Sequence, residues 1–182
     1  MTQTPSVADS VRLAWPTEAA AVSAVQRRGW LGLPAPLAEP LLAEVDEAAM
    51  VQAWERVIAR PADARQRVLV AVAGDSRVVG FATTGPSTDV DAEAGVDGEV
   101  DEFWIDPPAQ RRGHGSRLLN ACADTLRADG FTTARWWVAT TDDALRAFLS
   151  AAGWAPDGSS REIGSDEVDV RLRQVRLHTD LG

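Results

Sequence analysis

Apolar residues along this chain follow two periods in turn, two for strands and near four for helices, and the order of those stretches predicts the elements. Val11 to Trp15 alternates and reads as a first strand. Thr17 as N-cap, Glu18 in the first turn, a stripe of Ala21, Val22 and Val25, and Gly29 at the end predict a helix. Trp30 to Pro40 brings prolines and glycines in quick succession and reads as a loop that cannot continue it. Asp46 can cap a second helix reaching about Ala59, with Met50, Trp54, Val57 and Ile58 on one face and Pro61 barring extension. Val68 to Ala73 and Val78 to Thr84 are β-rich runs around Gly74-Asp75-Ser76, the pattern of a hairpin.

Between Gly85 and Gly98 the period vanishes. Asp89, Asp91, Glu93 and Asp97 lie there among Pro, Ser and Gly, which predicts a mobile loop able to reach a neighbouring site. Alternation returns from about Glu99 to Ile105 and stops at Pro107-Pro108; a helical stripe of Leu118, Leu119, Cys122 and Leu126 then runs from about Gly115 to Arg127, with Gly130 ending it. Ala134 to Ala139 is the next strand, parallel to the Glu99–Ile105 strand because a helix connects them. A fourth helix starts at Thr140 to Asp142, turns Leu145, Phe148, Leu149 and Ala152 inward, and ends at Gly153-Trp154. From Gly158 to His178 the chain reads as a hairpin, in which Val168, Val170 and Leu172 change parity to Val175 and Leu177 and so imply a bulge near Arg173 and Gln174. The expected architecture is α/β: one domain over residues 11–182 after a frayed 1–10, with a mixed, mostly antiparallel sheet of about six to seven strands and about four flanking helices. There are no internal repeats.

Composition narrows the function classes. At 182 residues and 45% apolar, the chain suffices for one well-cored domain. One cysteine excludes an internal disulfide framework, and neither a signal-peptide pattern nor a membrane-length apolar run occurs, so no membrane partner is expected and the cytoplasm is the default compartment. A net charge of -9 and a pI near 4.7 argue against a nucleic-acid partner and are compatible with a cationic substrate. His114, His178 and Cys122 make no metal-ligand spacing. Cys122 lies in an apolar stripe and reads as core. Exposed strands and seven tryptophans are compatible with a homodimer.

The chemistry concentrates at one turn. Gln110-Arg111-Arg112-Gly113-His114-Gly115-Ser116 stands between a strand and a helix. Its glycines let backbone approach a ligand, the helix's first amides lack intrahelical partners, and two arginines add positive charge, so the turn suits a phosphate. A P-loop is excluded by the missing Gly-Lys-Ser/Thr ending, and a dinucleotide fingerprint by its missing third glycine. On the strand before it, alternation puts Glu99, Asp101, Phe103 and Ile105 on one face and Val100, Glu102 and Trp104 on the other. Three carboxylates so close together are candidates for acid-base work, since an alkylammonium titrates near ~10.4 and must lose a proton before it attacks.

The run Gln-x-x-Gly-x-Gly, after Ile105-Asp106-Pro107 and before Ser116-Arg117-Leu118-Leu119, resembles the acetyl-CoA motif of the GNAT N-acetyltransferase superfamily. The resemblance implies a pyrophosphate cradle from Gln110, Arg111, Arg112, Gly113, His114, Gly115 and Ser116, with Phe103, Trp104 and Ile105 hydrogen-bonding the pantetheine arm. Val100-Asp101-Glu102-Phe103-Trp104-Ile105 resembles the Leu-Glu-Asp-Phe-Phe-Val run of polyamine-acetylating members, which implies Asp101 first and Glu102 second as catalytic carboxylates. Asp142 to Trp154 resembles the second signature, Asn-x-x-x-x-x-Phe-Tyr-x-x-x-Gly-Phe, but Leu149 replaces the tyrosine that often protonates the leaving thiolate and Asp142 replaces the asparagine. Ser150 next to it is a weak substitute, one position being ~100° around a helix. In the family pattern the first two helices cover the acceptor pocket, so Trp30 and Trp54 are candidate walls. The implied function is transfer of acetyl from acetyl-CoA to a primary amine of a small molecule, polyamine-, aminoglycoside- or amino-acid-like, in a ternary complex. The alternatives are a non-catalytic acyl-CoA-binding module and acetylation of a protein N-terminus or lysine.

Overall fold

The computed structural model describes residues 9–165 and 170–182. One sheet of seven strands runs β1-β2-β3-β4-β5-β7-β6, where β1 is Ser10–Leu13, β2 Arg67–Val72, β3 Val78–Pro86, β4 Asp97–Ile105, β5 Thr133–Ala139, β6 Ala155–Ser165 and β7 Val170–Asp180. Every pairing is antiparallel except β4 with β5. The mixed sheet is the expected one.

Two apolar layers cover it. On one face α1 (Ala19–Trp30) and α3 (Glu47–Ala59) pack Val22, Val25 and Trp54 against Val70, Val72 and Phe81. On the other, α4 (His114–Ala128) and α5 (Asp143–Ala151) bury Leu118, Leu119, Cys122, Leu126 and Leu149 against Leu69, Val100, Trp136 and Val138. The α4 stripe is the one the sequence spells out. Burial pushes the Cys122 thiol up to about 12, which fits a core residue and not a nucleophile.

Five expectations need correction. The stretch from Trp30 to Pro40 is not all loop, because α2 (Ala35–Glu44) forms within it and brings the helices to five among the described residues. Pro36 falls in its first turn, where the absent N–H has no intrahelical partner to lose, and Pro40 inside a ten-residue helix forgoes one bond. Thr17 is no cap: it lies in a 3-10 turn, Pro16–Glu18, and the Glu18 carboxylate accepts from the Trp15 amide at 2.8 Å. Gly29 sits inside α1, where a Cβ would overlap the Trp104 ring.

The segment between β3 and β4 is pinned. Asp89 and Asp91 bind Arg176 at 2.8 and 2.6 Å, Asp97 binds Arg135 at 2.7 Å, and the Trp137 indole N–H donates to Asp89 at 2.8 Å. Arg176 also holds Asp157 at 2.6 Å, so one buried guanidinium ties that segment to β6 and β7. The bulge of the last hairpin falls on β6, between Pro156 and Ser160, where Gly158 takes φ +92°, and not at Arg173 and Gln174, which pair in register with Glu162 and Arg161. Val168 lies outside the described residues.

Candidate active site

The parallel pair β4 and β5 is bonded only at Asp97–Thr133, Gly98–Ala134 and Glu99–Arg135. Beyond Glu99 the strands separate. Among the described residues, the β4 backbone from Val100 to Ile105 therefore keeps an edge with no strand beside it, directly ahead of α4. Phe103 and Ile105 pack into the α4 and α5 layer, Phe103 lying 5.0 Å from Trp136 and 6.4 Å from Phe148 by ring centroids, while Trp104 turns to the α1 layer.

At the end of β4 the buried Asp106 carboxylate takes a bidentate bond from Arg28 at 2.7 and 3.0 Å, which ties α1 to this corner. The chain then turns through Pro107–Ala109 into α4. Arg111 (φ 62°) and Gly113 (φ 85°) are left-handed, and none of the amides 111–116 has a backbone acceptor among the described residues; the first helical bond is from Arg117 to Gly113 at 3.2 Å. Six free donors at the positive end of a helix form a nest for an anion. Arg111 and Arg112 are exposed there and have no partner among the described residues.

Gly113 is required by its own φ, Gly115 is not. A Cβ at 115 would meet Ile105 and Phe148 at 3.8 and 3.9 Å, which is ordinary contact. There is thus room for a side chain where the sequence has none, and the space fits a ligand lying against the backbone. The residues present fit a coenzyme A pyrophosphate.

Two cradle residues are turned elsewhere. His114 is buried at the first turn of α4, its Nδ1 3.9 Å from Asp9, which also accepts from Arg117 and the Gly74 amide; only the His114 backbone faces the nest. The Gln110 amide donates to the Ile105 carbonyl at 3.2 Å and so folds back on the strand.

The carboxylates do not alternate as the sequence predicts. Ala82 pairs with Phe103 but Thr84 pairs with Val100, so Asp101 and Glu102 together oppose the single residue Thr83. This β-bulge resets the parity. Val100, Phe103 and Ile105 share the α4 face, while Glu99, Asp101 and Glu102 all line a cavity of about 320 Å³ on the α1 and α3 side. Trp54 and Val57 of α3, Gln66 to Val68, and Thr83 to Pro86 complete it. Trp54 is both wall and packing residue: its ring meets Phe81 edge-on at 5.0 Å and its Nε1 donates to Gln26 at 2.9 Å. Trp30 does not line it. A second cavity of about 90 Å³ lies at the parting of β4 and β5, and Glu99 and Asp101 border both.

Neither Asp101 nor Glu102 is in an ion pair among the described residues. Asp101 is exposed. Glu102 is half-buried, and desolvation raises its carboxyl above the usual range, against the pull of a 2.5 Å bond from Trp104 Nε1; the nearby Asp101 charge pushes the same way as burial. Burial likewise raises Glu99, partly offset by the Thr88 amide and hydroxyl. Arg67, the cation on the cavity wall, is bonded to Asp129 at 2.8 and 3.1 Å. No group of side chains suited to a metal ion occurs among the described residues.

The profile of the Acetyltransferase (GNAT) family matches residues 35–154. The chain belongs to this family. It is an acyltransferase that uses acetyl-CoA, and the separated β4 edge and the free amides after it are the parts of this member that fit that coenzyme. Its fold is shared at low identity by an N-acetyltransferase from Staphylococcus aureus Mu50, with 17% identity, TM-score 0.74, and 96% of this chain and 99% of that one covered. It is also similar to yncA from Salmonella typhimurium, solved with its cofactor acetyl-CoA, at 18% identity and TM-score 0.72 over 96% and 95%. The ribosomal-protein-alanine N-acetyltransferase of Brucella melitensis is 19% identical at TM-score 0.71 over 93% and 98%. No curated protein matches the sequence.

In this GNAT enzyme the place of the usual tyrosine is closed. Leu149 is fully buried in the α4 and α5 core and Ser150 is exposed, so neither puts a proton donor where the family has one. Sequence reasoning missed the Arg28–Asp106 clamp, the Arg176 hub and the role of Thr83. Arg176 carries a signal, since it stands between the apolar Val175 and Leu177, with acidic residues concentrated upstream at 89–97. No helix is long and apolar enough to cross a membrane among the described residues.

Proposed function

We propose that this enzyme acetylates the primary amine of a small cationic molecule, by direct attack in a ternary complex held by one end of β4. The observation that carries the reading is the charge of the larger cavity. Its unpaired charged groups are all carboxylates, Glu99, Asp101 and Glu102, and Arg67 is already neutralised by Asp129. An ammonium finds partners there and a substrate carboxylate finds none. This favours polyamine- and aminoglycoside-like acceptors over amino-acid-like ones.

Acetyl-CoA supplies the thioester. The amides of 111–116 with Arg111 and Arg112 bind its pyrophosphate, the β4 edge at Phe103, Trp104 and Ile105 takes the arm, and the Gly115 gap admits both. Asp101, exposed and unpaired, draws in the ammonium. Glu102 takes the proton: desolvation has moved its carboxyl toward neutral pH, where a base matches its task better. Glu102 takes the first proton from the ammonium, the neutral amine attacks so that the new N–C bond forms as C–S breaks, and the second nitrogen proton passes to water as coenzyme A leaves as thiolate. Because a thiolate is far less basic than an amine, a reaction without the tyrosine is slower and still feasible.

The buried Leu149 favours one rival, a coenzyme-binding module without turnover. Thiol release from acetyl-CoA, measured over polyamines, aminoglycosides, amino acids and peptides and alongside calorimetric binding, separates the two. Release that depends on polyamine or aminoglycoside supports the proposal. Binding without turnover on any amine refutes it, and release with peptides alone moves the acceptor to a protein terminus or lysine.

A further inference from the structure

We infer that Thr83 is a positioning residue of the transfer reaction, because its hydroxyl fastens the bulge that turns Asp101 and Glu102 into one cavity. The inference rests on the proposal that these carboxylates act on the amine. In a regular antiparallel ladder every β4 residue faces one residue of β3, and neighbouring side chains point to opposite faces. Here two residues face Thr83, and Glu102 has no register partner of its own on β3. The Thr83 Oγ1 accepts from that amide at 2.9 Å. The residue opposite the bulge thus holds the surplus residue's amide with its own side chain.

The bond decides where the charges go. With the bulge, Val100 and Phe103 both enter the α4 core although three positions apart, and Asp101 and Glu102 both meet the cavity. Without it, regular parity returns and one of the adjacent carboxylates points at Leu118, Leu119 and Cys122, which is the arrangement the bare alternation of the sequence predicts. Isoleucine, valine and alanine cannot accept this hydrogen bond; serine can. Neither of the family-like motifs, at 101–119 and 142–154, includes this position.

The test compares Thr83→Val, which keeps the shape and removes the acceptor, with Thr83→Ser, which keeps the acceptor. The full chain is used in both. For Thr83→Val we expect kcat for polyamine-dependent thiol release to fall by about 10²-fold, the size associated with displacing a reacting group by an ångström. Calorimetric acetyl-CoA affinity should stay close to the wild-type value, because the pyrophosphate cradle at 110–116 lies outside β4 and makes no use of the Thr83 hydroxyl, and Thr83→Ser should recover most of the rate. A Thr83→Val enzyme at wild-type kcat overturns the inference, as does a Thr83→Ser enzyme that loses as much as Thr83→Val. A crystal structure of Thr83→Val gives a readout that does not depend on turnover. If Ala82 still faces Phe103, Thr84 still faces Val100 and both carboxylates still line the cavity, the hydroxyl is not what holds the bulge. Should the wild type acetylate no amine at all, the proposed acceptor reading falls, and the register of Thr83→Val alone decides this one.

Discussion

Replacing Glu102 by Gln separates the catalytic role of this side chain from its effect on stability, because the two move in opposite directions. Gln conserves the volume and keeps an oxygen to accept the Trp104 Nε1 bond, so packing is retained. What changes is the charge. The Glu102 carboxyl is raised chiefly by desolvation, so burial outweighs the Trp104 hydrogen bond and the charged form is the strained one in the folded protein. Between the ordinary value of 4.5 and the raised folded value, the native state binds more protons than the unfolded chain, and wild-type stability falls as pH rises through that window. The variant has no such slope. Its melting temperature should match wild type below the window and exceed it at pH 8, each kcal/mol of relief giving about 2–4 °C for a chain of this size. Its rate should fall by about 10²-fold, the lower end for a general base, since Asp101 stays in the cavity. Thiol release and thermal melts from pH 4 to 9 measure both. A variant that is less stable at pH 8, or that loses less than about threefold in kcat, refutes the assignment of the proton to Glu102.

Gly115→Ala should leave the unfolding free energy within about ±0.5 kcal/mol of wild type, since a methyl fits at 3.8 Å from Ile105, and should weaken acetyl-CoA binding in calorimetry by tenfold or more, about 1.4 kcal/mol. Arg176→Met should destabilise by about 3 kcal/mol in urea, because it strands the partly buried Asp89 and Asp157. Arg176 bonds hold the Asp91 carboxyl down to about 2, so their contribution is present above the normal value of 3.8 and lost as pH falls toward 2; acid unfolding of Arg176→Met should lack that component. Leu149→Tyr, which restores the family residue into a fully closed site, should cost about 1–3 kcal/mol by overpacking and give no faster thiol release.

The cradle was legible because its chemistry is local. A strand end, a turn that needs positive φ and a helix N-terminus are set by neighbours in sequence, and Gln110 to Ser116 spell all three. The core face of α4 was legible for the same reason: Leu118, Leu119, Cys122 and Leu126 recur at helical spacing and are buried as read. Family membership followed from those stretches. The helix α2 is hidden in the sequence because prolines read as breakers, whereas Pro36 stands where a first turn tolerates it and the apolar residues around Pro40 have only a short stripe to show.

The rest depended on pairings between distant residues. Whether Glu102 shares a face with Asp101 is decided by the register of β4 on β3 and by one hydroxyl 19 positions upstream, and no period within β4 reports either. The acidic stretch after β3 reads as solvated until Arg135 and Arg176 arrive from β5 and β7 to neutralise it, a contact spanning 85 to 87 positions in the case of Arg176. Sequence by itself determined the elements other than α2, the buried face of α4 and the phosphate-binding turn, because backbone geometry and periodicity act over a few residues. Tertiary structure alone decided which carboxylates meet in one cavity, since strand register and charge pairing are set only when distant segments come together.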